Sequence, residues 1–340
     1  MVYSFELIKH ANIRYRESVP VLAQCELFSM LSHLGISCEL HHEMMGGAHF
    51  LTFECRCLSE AELSYLSGHS AVVFMAEKTG SLLGPLPVSP RTYLPEDLPE
   101  VLKYKGKTSA TFSRMMINTA AALSAFQEDP LTFFDPLCGK ATGCFCALTA
   151  GMNAVGLDVD HKDIREAADY FSRYLKYHKL KHEHLSRSET LGNHAVPVIE
   201  FRFADQKEHF LSGDIRRLTL ACADTAESPA LFRKARAHII TADLPYGIQH
   251  APQSGTKAES LARFLHRALP VWKSVLKPGG VIALSFNTLT LSSDSVRNAL
   301  VSAGFQLPGD SLFSGLRHEV EHAVVRDVVF ALNTEGESVV

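Results

Sequence analysis

The segment Ile239-Ile-Thr-Ala-Asp-Leu-Pro-Tyr-Gly247 carries an apolar run straight into Asp243, Leu244, Pro245 and Tyr246. An exocyclic amine on an aromatic base has its lone pair delocalised into the ring and is a poor nucleophile. A loop that acts on such an amine needs acceptors aimed at both N–H bonds. The Asp243 carboxylate and the Leu244 carbonyl suit that task. Pro245 stiffens the loop, and Tyr246 offers a ring on which a base stacks. The chemistry is positioning and electrostatics: an electrophilic group passes in line to the amine, and the proton leaves late, to Asp243 or to water.

A second constellation lies upstream. FFDPLCGKATG, residues 133–143, ends an apolar strand at Asp135 and opens a helix through a glycine-rich turn. Open α/β sheets bind ligands outside the carboxyl ends of their strands. Gly139 and Gly143 allow backbone to approach a ligand closely. The spacing is not GxGxxG, which disfavours a nicotinamide cofactor. Asp135, Pro136, Cys138, Gly139, Thr142 and Gly143 are therefore candidate cofactor contacts. The next apolar run ends in Val155-Gly-Leu-Asp158-Val159-Asp160. A carboxylate there can take both ribose hydroxyls, which singles out Asp158, with Val159 beside it. Asp160 is equally suited to cap the following helix. Leu211-Ser-Gly-Asp214-Ile215 reads as the end of a third strand, where Asp214 can accept a hydrogen bond from an adenine amino group. Leu276-Lys-Pro-Gly-Gly280 reads as a helix stop and a turn, with no chemistry of its own.

These residues need a frame. Residues 1–90 suggest a small β-α-β-β-α-β unit of ferredoxin-like type. Its expected strands are residues 1–8, Ser37–His41, His49–Cys55 and Ala71–Ala76; its helices are Val19–Leu34 and Ser59–Leu66. Ser81–Pro99 is rich in proline, glycine and serine and reads as connection, with the linker proper at 91–106. A helix over Thr108–Phe126, capped by Thr108 or Ser109, opens a unit at 107–335. There, strands Thr132–Asp135, Ala154–Asp158, His209–Ser212, His238–Asp243, Gly280–Ser285 and Val324–Leu332 alternate with helices Cys144–Ala150, Asp163–Tyr177, Glu259–Val275 and Ser293–Ala303. Such alternation implies an α/β fold with a Rossmann-like, doubly wound parallel sheet.

With DPLCG at 135–139, GLDVD at 156–160, GD at 213–214 and DLPYG at 243–247, residues 105–332 resemble class I S-adenosylmethionine-dependent methyltransferases. More narrowly, the chain is similar to the RNA methylase group that includes tRNA guanine-N2 methyltransferases with THUMP-type N-terminal domains. That resemblance implies S-adenosylmethionine as cofactor. Asp135, Cys138 and Gly139 would border its methionine part, Asp158 would hold the ribose and Asp214 the adenine. Asp243 and Tyr246 would address the target amine, and the last strand would be an antiparallel edge. Leu244 stands where the family's loop has its first proline, and GKATG stands where GSGT is usual. The implied activity is N-methylation of a nucleic-acid base, most of all guanine N2 in tRNA or other RNA. DNA adenine-N6 or cytosine-N4 methylation, protein glutamine methylation and a non-catalytic nucleic-acid-binding module are the competing expectations.

Composition sets outer bounds. The 340 residues carry a net charge of −4, so a nucleic-acid surface must be a local patch. The one basic stretch, RYLKYHKLKHEHLSR at 173–187, offers Arg173, Lys176, Lys179, Lys181 and Arg187 to phosphates; a solvated helix face is the plainer alternative. It extends the second helix and opens an insertion, 173–208, longer than a usual αβ loop. Eight cysteines form no zinc-type double CxxC, so no metal is expected and the thiols read as reduced. Without a signal-like N-terminus or an apolar run of about 18 residues, the expected setting is the cytoplasm. Oligomeric state is not legible.

Overall fold

The computed structural model describes residues 1–11, 13–104, 106–127, 130–191, 194–232, 236–245, 253–254, 257–258, 260–321 and 323–334. Tyr246 and Gly247, the expected helix start Glu259 and the expected unit end at 335 lie outside these residues.

The first unit runs β1 (Val2–Leu7), α1 (Ile13–His33), β2 (Leu40–Met45), β3 (Ala48–Glu54), α2 (Glu60–Leu66), β4 (Val72–Thr79) and β5 (Leu82–Leu86). Its antiparallel sheet has the order β2-β3-β1-β4-β5. The first four strands follow the expected ferredoxin-like order. Gly46 and Gly47 take φ of +58° and +84°, a two-residue hairpin turn that pairs Met45 with Ala48. That turn sets β2 at 40–45, later than the expected 37–41. Ser59 caps α2 in a reciprocal capping box with Glu62. Two expectations are corrected. Leu82–Leu86, read as connection, doubles back on β4 as an edge strand. Helix α1 starts at Ile13, ahead of Val19, because buried Tyr15 packs on Phe112 and His318 of the second unit.

The second unit comprises α3 (Leu98–Val101), α4 (Ala110–Leu123), β6 (Thr132–Asp135), α5 (Thr142–Thr149), β7 (Asn153–Asp158), α6 (His161–Tyr177), β8 (His182–Leu191), β9 (His194–Phe203), α7 (Lys207–Ser212), β10 (Arg216–Cys222), α8 (Ser228–Phe232) and β11 (Ala237–Asp243). After these come the short ribbon β12 (Gln253–Ser254) and β13 (Lys257–Ala258), then α9 (Leu261–Val275), β14 (Leu276–Asn287), α10 (Ser293–Ser302), β15 (His318–Glu321) and β16 (Val324–Leu332). Among the described residues, nine strands form one sheet in the order β15-β16-β14-β11-β6-β7-β10-β9-β8. β10, β7, β6, β11 and β14 are parallel. From β6 the winding goes out through β7 to β10 and, on the other side, through β11 to β14. This is the doubly wound, Rossmann-like parallel sheet that the alternation of elements implied, with its switch point between β6 and β11. β16 is antiparallel to β14 as expected, but β15 pairs outside it, so the last strand is not the edge.

Two further readings change. His209–Ser212 belongs to helix α7, which Gly213 stops at φ +88°, and the third parallel strand is β10. The 173–208 insertion, expected to begin by extending the second helix, instead forms over residues 182–203 the hairpin β8–β9, which extends the sheet beyond β10. Phe201 anchors it: the ring lies 5.2 Å from Phe171 and is stacked 4.6 Å from His184. One apolar core runs from Phe5 and Phe53 of the small sheet through Tyr15 and Leu22 of α1 to Phe112, Phe145 and Phe171. A second core, with Phe134, Leu244, Trp272 and Phe286, fills the other face of the large sheet. No described helix is long and apolar enough to cross a membrane.

Because Phe201 is fully buried, Phe201→Ala is expected to lower unfolding stability by about 3–5 kcal/mol in urea titration. A loss under about 1 kcal/mol would show that the hairpin is not part of the cooperative fold.

Candidate active site

The carboxyl ends of β6, β7 and β11 gather three acids around the switch point. Phe133 and Phe134 are fully buried in β6 and bring Asp135 to its end with 8% exposure. Asp135 Oδ1 accepts the Leu137 N–H at 3.1 Å. Its other oxygen faces Gly143, where an added Cβ would come within 2.9 Å of it. Pro136 is buried. The following turn is tight: Gly139 has φ +48° and Ala141, a residue with a side chain, has φ +64° at the start of α5. Asp158 closes the turn from β7, taking the Gly139 N–H at 2.8 Å and the Asp160 N–H at 2.9 Å. Cys138 and Cys144 pack against Gly156, where any Cβ would meet both sulfurs at 2.9 Å. Val159 stands 63% exposed on the rim. Asp160 caps α6 through Lys162 and Asp163, the second of its two expected roles.

Burial pushes the Asp135 carboxyl up to about 8, against the Leu137 N–H, and the nearby Asp158 and Asp243 raise it further. A carboxyl shifted this far by burial and by neighbouring acids is a functional-site candidate.

Asp243 ends β11. Its Oδ1 accepts from Ser285 Oγ at 2.7 Å and its Oδ2 from Thr108 Oγ1 at 2.5 Å. Arg326 Nη2 lies 3.8 Å from Oδ2. The Leu244 N–H bonds the Ser285 carbonyl at 2.8 Å, and the Leu244 side chain is 1% exposed, sunk into the second core. An aliphatic residue here anchors the loop by packing. Pro245 is half-buried.

Asp214 and Ile215 are not part of this group. They precede β10, at the end of the sheet where the parallel strands begin. Asp214 holds Arg216 at 2.6 Å, and its carbonyl accepts from Tyr93 at 3.0 Å. The acid that follows the third strand is Asp224, which accepts the Ala226 N–H and Arg267 Nη1, each at 2.8 Å. Its signal was the short apolar alternation Leu218, Leu220, hidden behind Arg216-Arg217. Of the two expected caps, Ser109 takes the N-cap position of α4 without a side-chain cap bond, and Thr108 turns to Asp243 instead. Tyr104, Ser285 and Arg326 were not singled out. Tyr104 hydroxyl bonds Thr142 Oγ1 at 2.9 Å, and Lys140 lies 5.1 Å from its ring.

Nor are the five basic residues one patch at the site. α6 runs away from its cap beside Asp158, so Arg173, Lys176, Lys179 and Lys181 are exposed near the opposite edge of the sheet. Strand register lines up His182, Phe203 and Arg216 across β8, β9 and β10, and likewise Arg187, Val198 and Ala221. Only Arg187 stands near the rim, and it is bonded at 2.6 Å to both Glu189 and Glu200.

No family model matches the chain, and no curated protein matches it. Solved structures similar to it include TrmN from Thermus thermophilus, 17% identical with a TM-score of 0.40 over 87% of this chain and 60% of that one. The rRNA methyltransferase aviRa from Streptomyces viridochromogenes is 14% identical, with a TM-score of 0.42 over 68% of this chain and 89% of its own. Magnesium protoporphyrin IX methyltransferase from Synechocystis PCC 6803, solved with bound SAM, is 14% identical, with a TM-score of 0.39 over 67% and 87%. The chain thus spans 60% of the length of the Thermus protein.

The raised pKa of Asp135 has a thermodynamic sign. Between its usual 3.8 and about 8, the folded state holds a proton that the unfolded chain has lost, so rising pH removes stability. Relative to Asp135→Asn, the wild-type urea midpoint is expected to be level below pH 3.8 and to fall until about pH 8. A constant difference across that window would show that Asp135 is not protonated in the fold.

Proposed function

We propose that this chain methylates an exocyclic amine of a nucleic-acid base with S-adenosylmethionine, with guanine N2 in tRNA or another RNA as the target. The observation that carries the reading is Asp243: a strand-end carboxylate oriented by Thr108, Ser285 and Arg326 beside the Asp135–Asp158 crevice. When bound, S-adenosylmethionine supplies a sulfonium methyl. The residues fit that cofactor. The crevice concentrates carboxyls, which suits a sulfonium and an ammonium, and Gly143 leaves beside Asp135 the space a side chain would fill. In this reading Asp158 takes the ribose, Asp135, Cys138 and Gly139 border the methionine part, and Val159 covers a face of the adenine. Asp224 takes over the role first given to Asp214.

On the substrate side, Asp243 and the Leu244 carbonyl accept the two amine N–H bonds. Pro245 restricts the loop, and Tyr246 stacks on the base. Their fixed dipoles draw electron density toward the nitrogen as its proton is lost, which is catalysis by preorganisation. A paired target base must first be flipped out, at a cost of a few kcal/mol.

Asp243→Ala is expected to lower methylation by about 10²–10³-fold or more while cofactor affinity stays within a few-fold. Retained turnover would remove Asp243 from this role. Mass spectrometry of nucleosides from cells with and without the protein is expected to show one methylguanosine lost from RNA. Loss of a methylated adenine or cytosine from DNA instead would overturn the substrate assignment.

A further inference from the structure

We propose that the cleft between the two units is a second ligand site, built for a small phosphorylated molecule that carries a planar ring, of nucleoside-monophosphate size. The cavity measures about 470 Å³ and lies between α1 and α2 on one side and α4 and α5 on the other. Its lining includes Met152, just ahead of β7, so it opens at the edge where the parallel strands begin. The Asp135–Asp243 crevice is at the other end of the same strands. The two sites are therefore separate, and this inference does not depend on methyl transfer.

Arg114, on α4, supplies the chemistry. Its Nε is buried and has no hydrogen-bond partner among the described residues. Its Nη1 lies 3.6 Å from Glu96 Oε1, an ion pair too long for a hydrogen bond. A guanidinium presents its donors as a planar fork that matches a phosphate, and a buried donor without an acceptor is a cost that an arriving oxyanion relieves. Arg91 adds a second cation to the lining, and Glu96, 56% exposed at its side chain, is the carboxylate that balances them. Tyr65 and Phe126 contribute ring surface to the same cavity, which suits a flat base. The volume falls within the range of small-molecule sites, which favour such junctions between units.

The test titrates AMP, GMP, UMP and inorganic phosphate into the full chain by calorimetry, with S-adenosylhomocysteine present. At least one nucleotide is expected to bind with Kd below about 1 mM, and inorganic phosphate about tenfold more weakly. Arg114→Gln is expected to weaken the nucleotide about tenfold or more. Arg91→Ala, an exposed change that spares the fold, should also weaken it, and Glu96→Gln should tighten it several-fold by removing a competing charge. Four results overturn the proposal: no nucleotide binding, phosphate binding as tight as the nucleotide, competition by S-adenosylhomocysteine, or affinity unmoved by both the Arg114 and Glu96 changes.

Discussion

Three carboxyl groups, those of Asp135, Asp158 and Asp243, stand at the carboxyl ends of three neighbouring parallel strands, where the sheet's winding reverses. Like charges brought together at a buried edge oppose folding unless each is held by donors or kept neutral. The surrounding structure answers each in a different way. Asp135 is buried and pushed towards its neutral form. Asp158 is held by two backbone N–H groups from the turns it bridges. Asp243 is held by two hydroxyls, with a guanidinium nearby. The turn geometry at Gly139 and Ala141, the missing side chain at Gly143 and the inward Leu244 all follow from fitting these groups at one edge.

The N-terminal unit belongs to this arrangement. Tyr15 of α1 packs 5.8 Å from His318, and both rings lie against Phe112. The Arg326 guanidinium sits 4.4 Å from the Phe112 ring on its way to Asp243. Burial pushes His318 down to about 4; the Leu316 carbonyl opposes that and Arg326 adds to it. His318 is therefore neutral at pH 7 and adds no second cation beside Arg326. Further along the seam, fully buried Glu26 accepts from the Ser70 N–H at 2.8 Å and from Asn118 of α4 at 2.7 Å. Asn118 thus ties a buried carboxyl of the first unit to α4 of the second, and sliding the units would cost it that hydrogen bond.

How legible this was in the sequence varied with the range of the interactions. Asp135, Asp158 and Asp243 could be read because each ends a short, mainly apolar run, the mark of a buried parallel strand. Asp214 was misplaced because Leu211-Ser-Gly-Asp resembles a strand end, whereas the true strand opens on two arginines. The hairpin over 182–203 was hidden because its outer strand, HEHLSRSETL, forms the edge of the sheet and is mostly exposed. Thr108 and Arg326 reach Asp243 from far along the chain in either direction, and no local spacing announces such partners. The cleft at Arg114 exists only because α1 and α4 dock.

Calorimetric titration of S-adenosylmethionine into the wild type, Asp158→Ala and Asp214→Ala addresses the cofactor crevice most directly. The strand-end account expects one-to-one binding that weakens about tenfold or more in Asp158→Ala and is unchanged in Asp214→Ala, whose side chain lies at the far edge. Absence of binding, or an equal loss in both variants, would contradict it.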